Sequence, residues 1–298
     1  MTMISRRGFV GAMVAIGTLS LVDRFALADP LGLPLGLQLY SVRQQMVEDL
    51  DGTLAAVSKA GYTEVEAAAL PNKSATEVRA ALDRAGLRCV SAHHPFADLH
   101  ARFDEILAYD KQLGVRFIIC ASPGRRNPAP AGSGRVPFTL DDWHYNAEQF
   151  DAMGERTAAQ GVRFGYHNHV PEFAETDGKV PYLELLRLTD PKKVTFELDC
   201  GWATVAGMNP VDLMKNHPHR ISMVHVKDFK LPSDGALPDP HAAKVTELGL
   251  GNIDYHPIFA EAARSQHIEH AFVEQEAFDM PWQQSLQVDA DYLRKFRV

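Results

Sequence analysis

Short apolar runs with strand character alternate with longer stretches of helical period along most of this chain. The short runs fall at 35–41, 63–66, 88–93, 116–121, 163–169, 194–199, 221–226 and 271–276. After each one, apolar positions recur at amphipathic-helix spacing, over 51–60, 74–85, 101–113, 140–160, 180–188, 210–216, 255–265 and 282–296. Gly61, Gly86, Gly114 and Gly161 close the first four helical stretches, where the left-handed conformation that ends a helix favours glycine. Strand–helix units in strict alternation predict parallel strands with right-handed crossovers. Eight of them predict an α/β fold, a closed (β/α)8 TIM barrel forming a single domain over 29–298. The competing architecture, an open doubly wound sheet, usually has a glycine-rich phosphate loop after its first strand. Here "GLQLYSVR" at 36–43 contains no GxGxxG.

In such a barrel, chemistry belongs at the last inward positions of the strands and in the loops that follow them. Two long connections, 122–138 and 227–251, both follow strands and so belong to that face. The strand ends are polar in a matched way. The first offers Gln38 and Tyr40, and the third Ser91 and His93 with His94 beside it. The fifth offers His167 and His169, the sixth Glu197 and Asp199, the seventh His225 and Lys227, the eighth Glu274 and Glu276. One polar strand end means little. Four consecutive ones with imidazole and carboxylate on matching parity suit a divalent ion such as manganese, iron, cobalt or zinc, and the absence of cysteine among them argues against a structural zinc.

Composition narrows the classes further. The chain has 298 residues, 46% hydrophobic and 23% charged, with a formal charge of −8, which is unlike the basic face of a nucleic-acid binder. Cys89, Cys120 and Cys200 are far apart in sequence and read as buried free thiols, with one disulfide still open. Residues 1–28 have a different character: the twin arginine Arg6-Arg7, a short apolar stretch, then Ala26-Leu27-Ala28 as a cleavage pattern. They are expected to be a twin-arginine signal peptide that sends the protein to the periplasm or out of the cell, with no stable membrane anchor after cleavage. Losing Arg6, Arg7, Arg24 and Asp23 with that segment takes the net charge from −8 to −10.

The ordered set "GYHNHVPEF" (165–173), "ELDCGW" (197–202), "HVKD" (225–228) and "VEQE" (273–276) closely resembles the sugar phosphate isomerase/epimerase superfamily of xylose isomerase-like TIM barrels, and most of all its exported members. The likeness spans nearly the whole chain after the leader. It implies one divalent metal ion, foremost Mn2+, with Fe2+, Co2+, Zn2+ or Mg2+ as alternatives. The ligands it implies are Asp199, His225, Glu274 and a strand-five group. Where many relatives have a glutamate at the end of strand five, this chain has His167, and a glutamate follows at Glu172. Glu172 is the expected ligand and His167 the alternative.

The resemblance implies isomerisation or epimerisation of a keto-sugar through an enediolate that the ion stabilises, with a lyase or dehydratase reaction as the alternative outcome of the same intermediate. Relatives with a histidine-rich strand five dehydrate inososes or cleave 3-keto-glycosides. His167 and His169 are the expected bases and Lys227 the partner of developing oxyanion charge. Gln38, Tyr40, His93, His94 and Trp202 are the expected substrate contacts, Trp202 through its ring face. Arg125 and Arg126 could hold a phosphate, but export argues for a non-phosphorylated carbohydrate. The expected partner is thus a small-molecule carbohydrate, not nucleic acid, and a homo-oligomer is compatible with all of this. A barrel that binds sugar without catalysis is the remote alternative.

Overall fold

The computed structural model describes residues 31–129, 136–232 and 242–296, together with the backbone of Leu27–Ala28. The leader expected over 1–28 therefore lies outside the described residues, apart from those two. So do the centres of both long loops.

Eight parallel strands close into a barrel: β1 (Gly36–Gln38), β2 (Glu64–Ala67), β3 (Arg88–His94), β4 (Phe117–Cys120), β5 (Arg163–His167), β6 (Val194–Asp199), β7 (Ile221–Val226) and β8 (His270–Val273). Neighbours follow chain order, and β8 pairs with β1 to close the ring. One principal helix follows each strand: α1 (Leu50–Ala60), α2 (Ala75–Ala85), α3 (Phe96–Leu113), α4 (Leu140–Ala158), α5 (Pro181–Leu188), α6 (Pro210–Asn216), α7 (Tyr255–Ser265) and α8 (Trp282–Lys295). Gly61, Gly86 and Gly114 cap α1, α2 and α3 with positive φ of 102°, 71° and 90°. Among the described residues no helix is long and apolar enough to cross a membrane.

Two apolar layers hold the barrel. The larger lies between sheet and helices. The smaller fills the barrel's interior with Val90, Phe117, Ile119, Met223 and Phe272. Below it, Glu64 joins Arg88 at 2.8 Å and His270 at 2.7 Å. The core thus seals the barrel at its N-terminal end and leaves the C-terminal mouth to polar groups. All three cysteines are buried and free, and burial pushes the Cys120 thiol up to about 12.

The sequence pattern misplaces one strand end. The run 35–41 stops being a strand at Gln38, and Leu39–Val42 forms a 3-10 turn instead. Gln38 caps that turn by accepting the Tyr40 N–H at 3.0 Å, and Tyr40 is carried outward to 38% exposure. The strand ladder also shifts register at two places, between Val65 and Glu66 and between Phe196 and Glu197. Such irregularities re-aim side chains near functional sites, and both fall on carboxylates that face the barrel axis.

Candidate metal centre and catalytic pocket

His167 is the last residue of β5, Asp199 the last of β6, His225 the penultimate of β7, and Glu274 follows β8. The four are buried, and a ligand atom of each lies within 4.8 Å of those of the others. Strand register brings them together: His167 sits beside Glu197, and Asp199 beside His225. Asn168 then locks the two strand ends. Its amide accepts the Asp199 N–H at 3.1 Å and donates to the Asp199 carbonyl at 3.3 Å.

The Asp199 carboxylate has two separate tasks. Oδ1 accepts the Trp202 N–H at 2.7 Å and caps the helical turn Cys200–Val205. Oδ2 is buried with no hydrogen bond, although the Lys227 ammonium pairs with it at 3.2 Å. The ammonium offsets the charge without making a hydrogen bond to Oδ2, so this buried oxygen keeps its lone pairs free to meet a further cation. Two imidazoles and two carboxylates also form a donor set suited to a borderline divalent ion. The residues therefore fit a metal site.

A second tier lies deeper. Glu197 Oε2 is 2.6 Å from His93 Nε2, 3.0 Å from His167 Nδ1 and 3.3 Å from His225 Nε2. Glu66 Oε2 is 2.7 Å from His225 Nε2, 3.0 Å from His93 Nε2, and accepts the Gln38 amide at 2.7 Å. Meanwhile His225 Nδ1 faces Glu274 Oε2 at 3.2 Å, and His167 Nε2 faces Asp199 Oδ2 at 4.0 Å. Each of these two imidazoles turns one nitrogen to the outer donor set and the other to an inner carboxylate. Outer carboxylates that accept the second ring N–H are the usual way ligand histidines are oriented.

The charges follow from this packing. Burial works against the charged imidazole, yet Glu66 and Glu197 outweigh it and hold His93 up to about 9. His225 is likewise raised against burial, chiefly by Glu197. Burial and the His225 charge hold His167 well down, so it is the neutral member. Burial also lowers His169 and raises Asp199. Lys227 is buried but lies 2.8 Å from Glu274 and 2.5 Å from Glu276 as well as near Asp199. Those carboxylates overcome its burial and keep it an ammonium. The Tyr255 hydroxyl fixes its backbone, donating to the Lys227 carbonyl at 2.7 Å and accepting the Lys227 N–H at 2.8 Å. Gly201 lets the Cys200–Val205 turn press onto this residue, since a Cβ there would lie 2.9 Å from the Lys227 carbonyl oxygen.

Glu172, the expected strand-five ligand, is outside the donor set. The 3-10 turn Pro171–Phe173 folds it back beneath the strand end. There one oxygen accepts the Tyr166 hydroxyl at 2.5 Å and the other the His169 N–H at 3.0 Å. His167, not Glu172, groups with Asp199, His225 and Glu274. Gln38, expected at the substrate, is fully buried with its amide spent on Glu66 and Tyr40. Trp202 packs on Phe229 and donates to Glu276 at 3.1 Å, and so backs the site from behind. Tyr40, His93, His94, His169 and Glu274 do line the open cavity over the mouth, which measures about 1000 Å3. Arg125 and Arg126 are taken up by Asp142, Asp141 and Glu148 and do not face it. Sequence reasoning assigned no role to Glu66, Glu197, Asn168 or Asp110. Glu197 carried the clearest signal, its parity with Asp199. Glu66 offered a weaker one, as an acid at every second position of a short strand.

A family model described as a xylose isomerase-like TIM barrel matches residues 54–296. An inosose dehydratase of Clostridium botulinum (strain Alaska E43 / Type E3) is 25% identical over 236 residues, covering 73% of this chain and 78% of that protein. A sugar phosphate isomerase/epimerase from Parabacteroides distasonis superimposes with a TM-score of 0.68 at 27% identity, over 87% of this chain and 93% of that one. A probable 3-DHS dehydratase from Bacillus anthracis shares the fold, with a TM-score of 0.63 at 16% identity over 87% and 98% of the two chains.

Proposed function

We propose that this chain, which belongs to the xylose isomerase-like TIM barrel family, is a divalent-metal-dependent lyase that eliminates a β-oxygen substituent from a cyclic polyhydroxy ketone. The carrying observation is the convergence of His167, Asp199, His225 and Glu274 beneath an open cavity. A divalent ion held by these four supplies the Lewis acidity that makes a C–H beside a ketone removable.

The remaining work falls to the chain's own side chains. His169 lines the cavity, and burial keeps its imidazole neutral, the form a base needs. Lys227, held cationic by three carboxylates, offsets the negative charge that develops on the ketone oxygen. Glu66 and Glu197 hold His225 and His167 in the ring orientations the donor set requires. The similarity to a protein named inosose dehydratase supports elimination over reprotonation. The match at 27% identity to a sugar phosphate isomerase/epimerase favours the second reading, in which the same proton returns to a neighbouring position. Arg125 and Arg126 being paired elsewhere supports a substrate without phosphate.

The test is incubation of the Mn2+-loaded protein with inososes and 3-keto-glycosides in deuterated water. Release of water or alcohol with formation of an enone supports the lyase. Deuterium uptake without loss of any substituent supports the isomerase or epimerase, and neither change on any ketone overturns both.

A further inference from the structure

Three imidazoles converge on one carboxylate oxygen below the outer donor set. Glu197 Oε2 lies 2.6 Å from His93 Nε2, 3.0 Å from His167 Nδ1 and 3.3 Å from His225 Nε2. A ligand atom of each of these four residues lies within 4.8 Å of those of the others. The three rings pack with centroids 4.4, 4.7 and 5.3 Å apart. Zinc bonds of about 2.0–2.1 Å in a tetrahedron put ligand atoms roughly 3.4 Å apart, so movements of less than about 1 Å would gather these four around an ion. The other oxygen of Glu197, Oε1, is buried with no hydrogen bond. This carboxylate, 0% exposed, therefore keeps an oxygen free to turn to a cation.

The inner and outer sets share His167 and His225, but through different ring nitrogens. Inward, His167 Nδ1 and His225 Nε2 meet Glu197. Outward, His167 Nε2 faces Asp199 Oδ2 at 4.0 Å and His225 Nδ1 faces Glu274 Oε2 at 3.2 Å. A neutral imidazole has one lone pair and one N–H. Each ring can thus serve one level at a time, with its N–H turned to a carboxylate of the other level. Both tautomers of both rings find partners in this way.

The two levels differ in chemistry. The outer set has two imidazoles and two carboxylates, and His167 and Glu274 bring it to the cavity wall. The inner set has three imidazoles and one carboxylate, and Glu197 and His225 within it are fully buried. Nitrogen-rich sets suit zinc, whereas oxygen-rich ones suit manganese. Four protein ligands also close the shell of a tetrahedral ion, which leaves a ketone oxygen no position to occupy.

We propose that His93, His167, Glu197 and His225 form a second, deeper ion site that selects Zn2+. Filling it withdraws His167 and His225 from the outer set, so the chain holds one ion at a time, at one level or the other. The inference deepens the proposed function, since it takes the outer set as the working centre and names how the wrong ion disables it.

The experiment has two arms. In the first, X-ray absorption at the metal edge counts imidazole ligands in wild type loaded with Zn2+ or with Mn2+. Three are expected for Zn2+ and two for Mn2+, with a total of one ion per chain when both are supplied. In the second, chelator-competition calorimetry measures both ions on His93→Gln and Asp199→Asn. His93→Gln is expected to weaken Zn2+ at least tenfold more than Mn2+, and Asp199→Asn to weaken Mn2+ at least tenfold more than Zn2+. Two imidazoles on Zn2+, two ions bound together, or equal losses of both ions in either variant overturns the proposal. The first arm needs no variant, so a substitution that unfolds the chain leaves the test standing. Neither arm depends on turnover: a Mn2+-loaded protein that leaves every ketone unchanged refutes the proposed function and not the inner site.

Discussion

Replacing Lys227 with methionine tests the electrostatic account of the site most directly. The ammonium is fully buried and lies 3.2 Å from Asp199, 2.8 Å from Glu274 and 2.5 Å from Glu276. Methionine fills similar space but leaves these carboxylates without their cation. Removing one partner from a buried ion pair costs about 3–5 kcal/mol. For a domain of this size that is a fall in Tm on the order of 10 °C, measured with chelator present. Asp199 and Glu274 also belong to the candidate metal donor set, so Lys227 and a divalent ion held there would repel each other. Two charges about 4 Å apart interact by about 4 kcal/mol per unit charge at an effective dielectric of 20. Lys227→Met should therefore bind Mn2+ at least tenfold more tightly by calorimetry, and saturating Mn2+ should raise its Tm more than that of wild type. Turnover should fall even so, because nothing then offsets the oxyanion. A chelated variant that melts with wild type would refute the buried-charge argument. Weaker Mn2+ binding would show that Lys227 arranges the ligands rather than opposing the ion.

Three further outcomes are expected. Glu172→Gln should leave Mn2+ affinity within about threefold while lowering stability by about 1–3 kcal/mol through the Tyr166 hydroxyl; loss of the ion on dialysis would return Glu172 to the ligand set. Burial raises Asp289 to about 7, so the folded state holds its proton between about pH 4 and 7 and loses stability as pH rises through that window, by up to about 4 kcal/mol. Asp289→Asn keeps an acceptor for the Leu248 N–H and should melt above wild type at pH 8 but close to it at pH 4, the bottom of that window; an equal gap at both pH values would contradict this. Changing Arg6 and Arg7 together to lysine should keep the protein inside the cell in fractionation experiments, and unchanged export would dispose of the twin-arginine reading.

Much of the barrel is legible in the chain because its signals are local. Val194–Asp199, Ile221–Val226, Pro210–Asn216 and Tyr255–Ser265 form where the pattern puts them, since strand alternation, helical period and capping glycines act within a few residues. The strand ends bearing Asp199, His225 and Glu274 are legible for the same reason: a strand that points inward at one residue points inward two residues later. The first strand departs from this because Gln38 turns its own side chain into a cap, and local side-chain bonds of that kind compete with strand pairing.

What the sequence alone determined is the alternation that closes a barrel and the polar strand ends it brings to one mouth. The choice between His167 and Glu172 needed the tertiary structure, because it turns on where a 3-10 turn and the Tyr166 hydroxyl draw a carboxylate. Glu66 meets His225 across 159 residues of chain, and Asp110 reaches His94 only because α3 packs back over β3. Pairings of this kind depend on the closed ring and on burial in a low-dielectric interior, where a carboxylate a few ångströms away sets the charge and orientation of an imidazole.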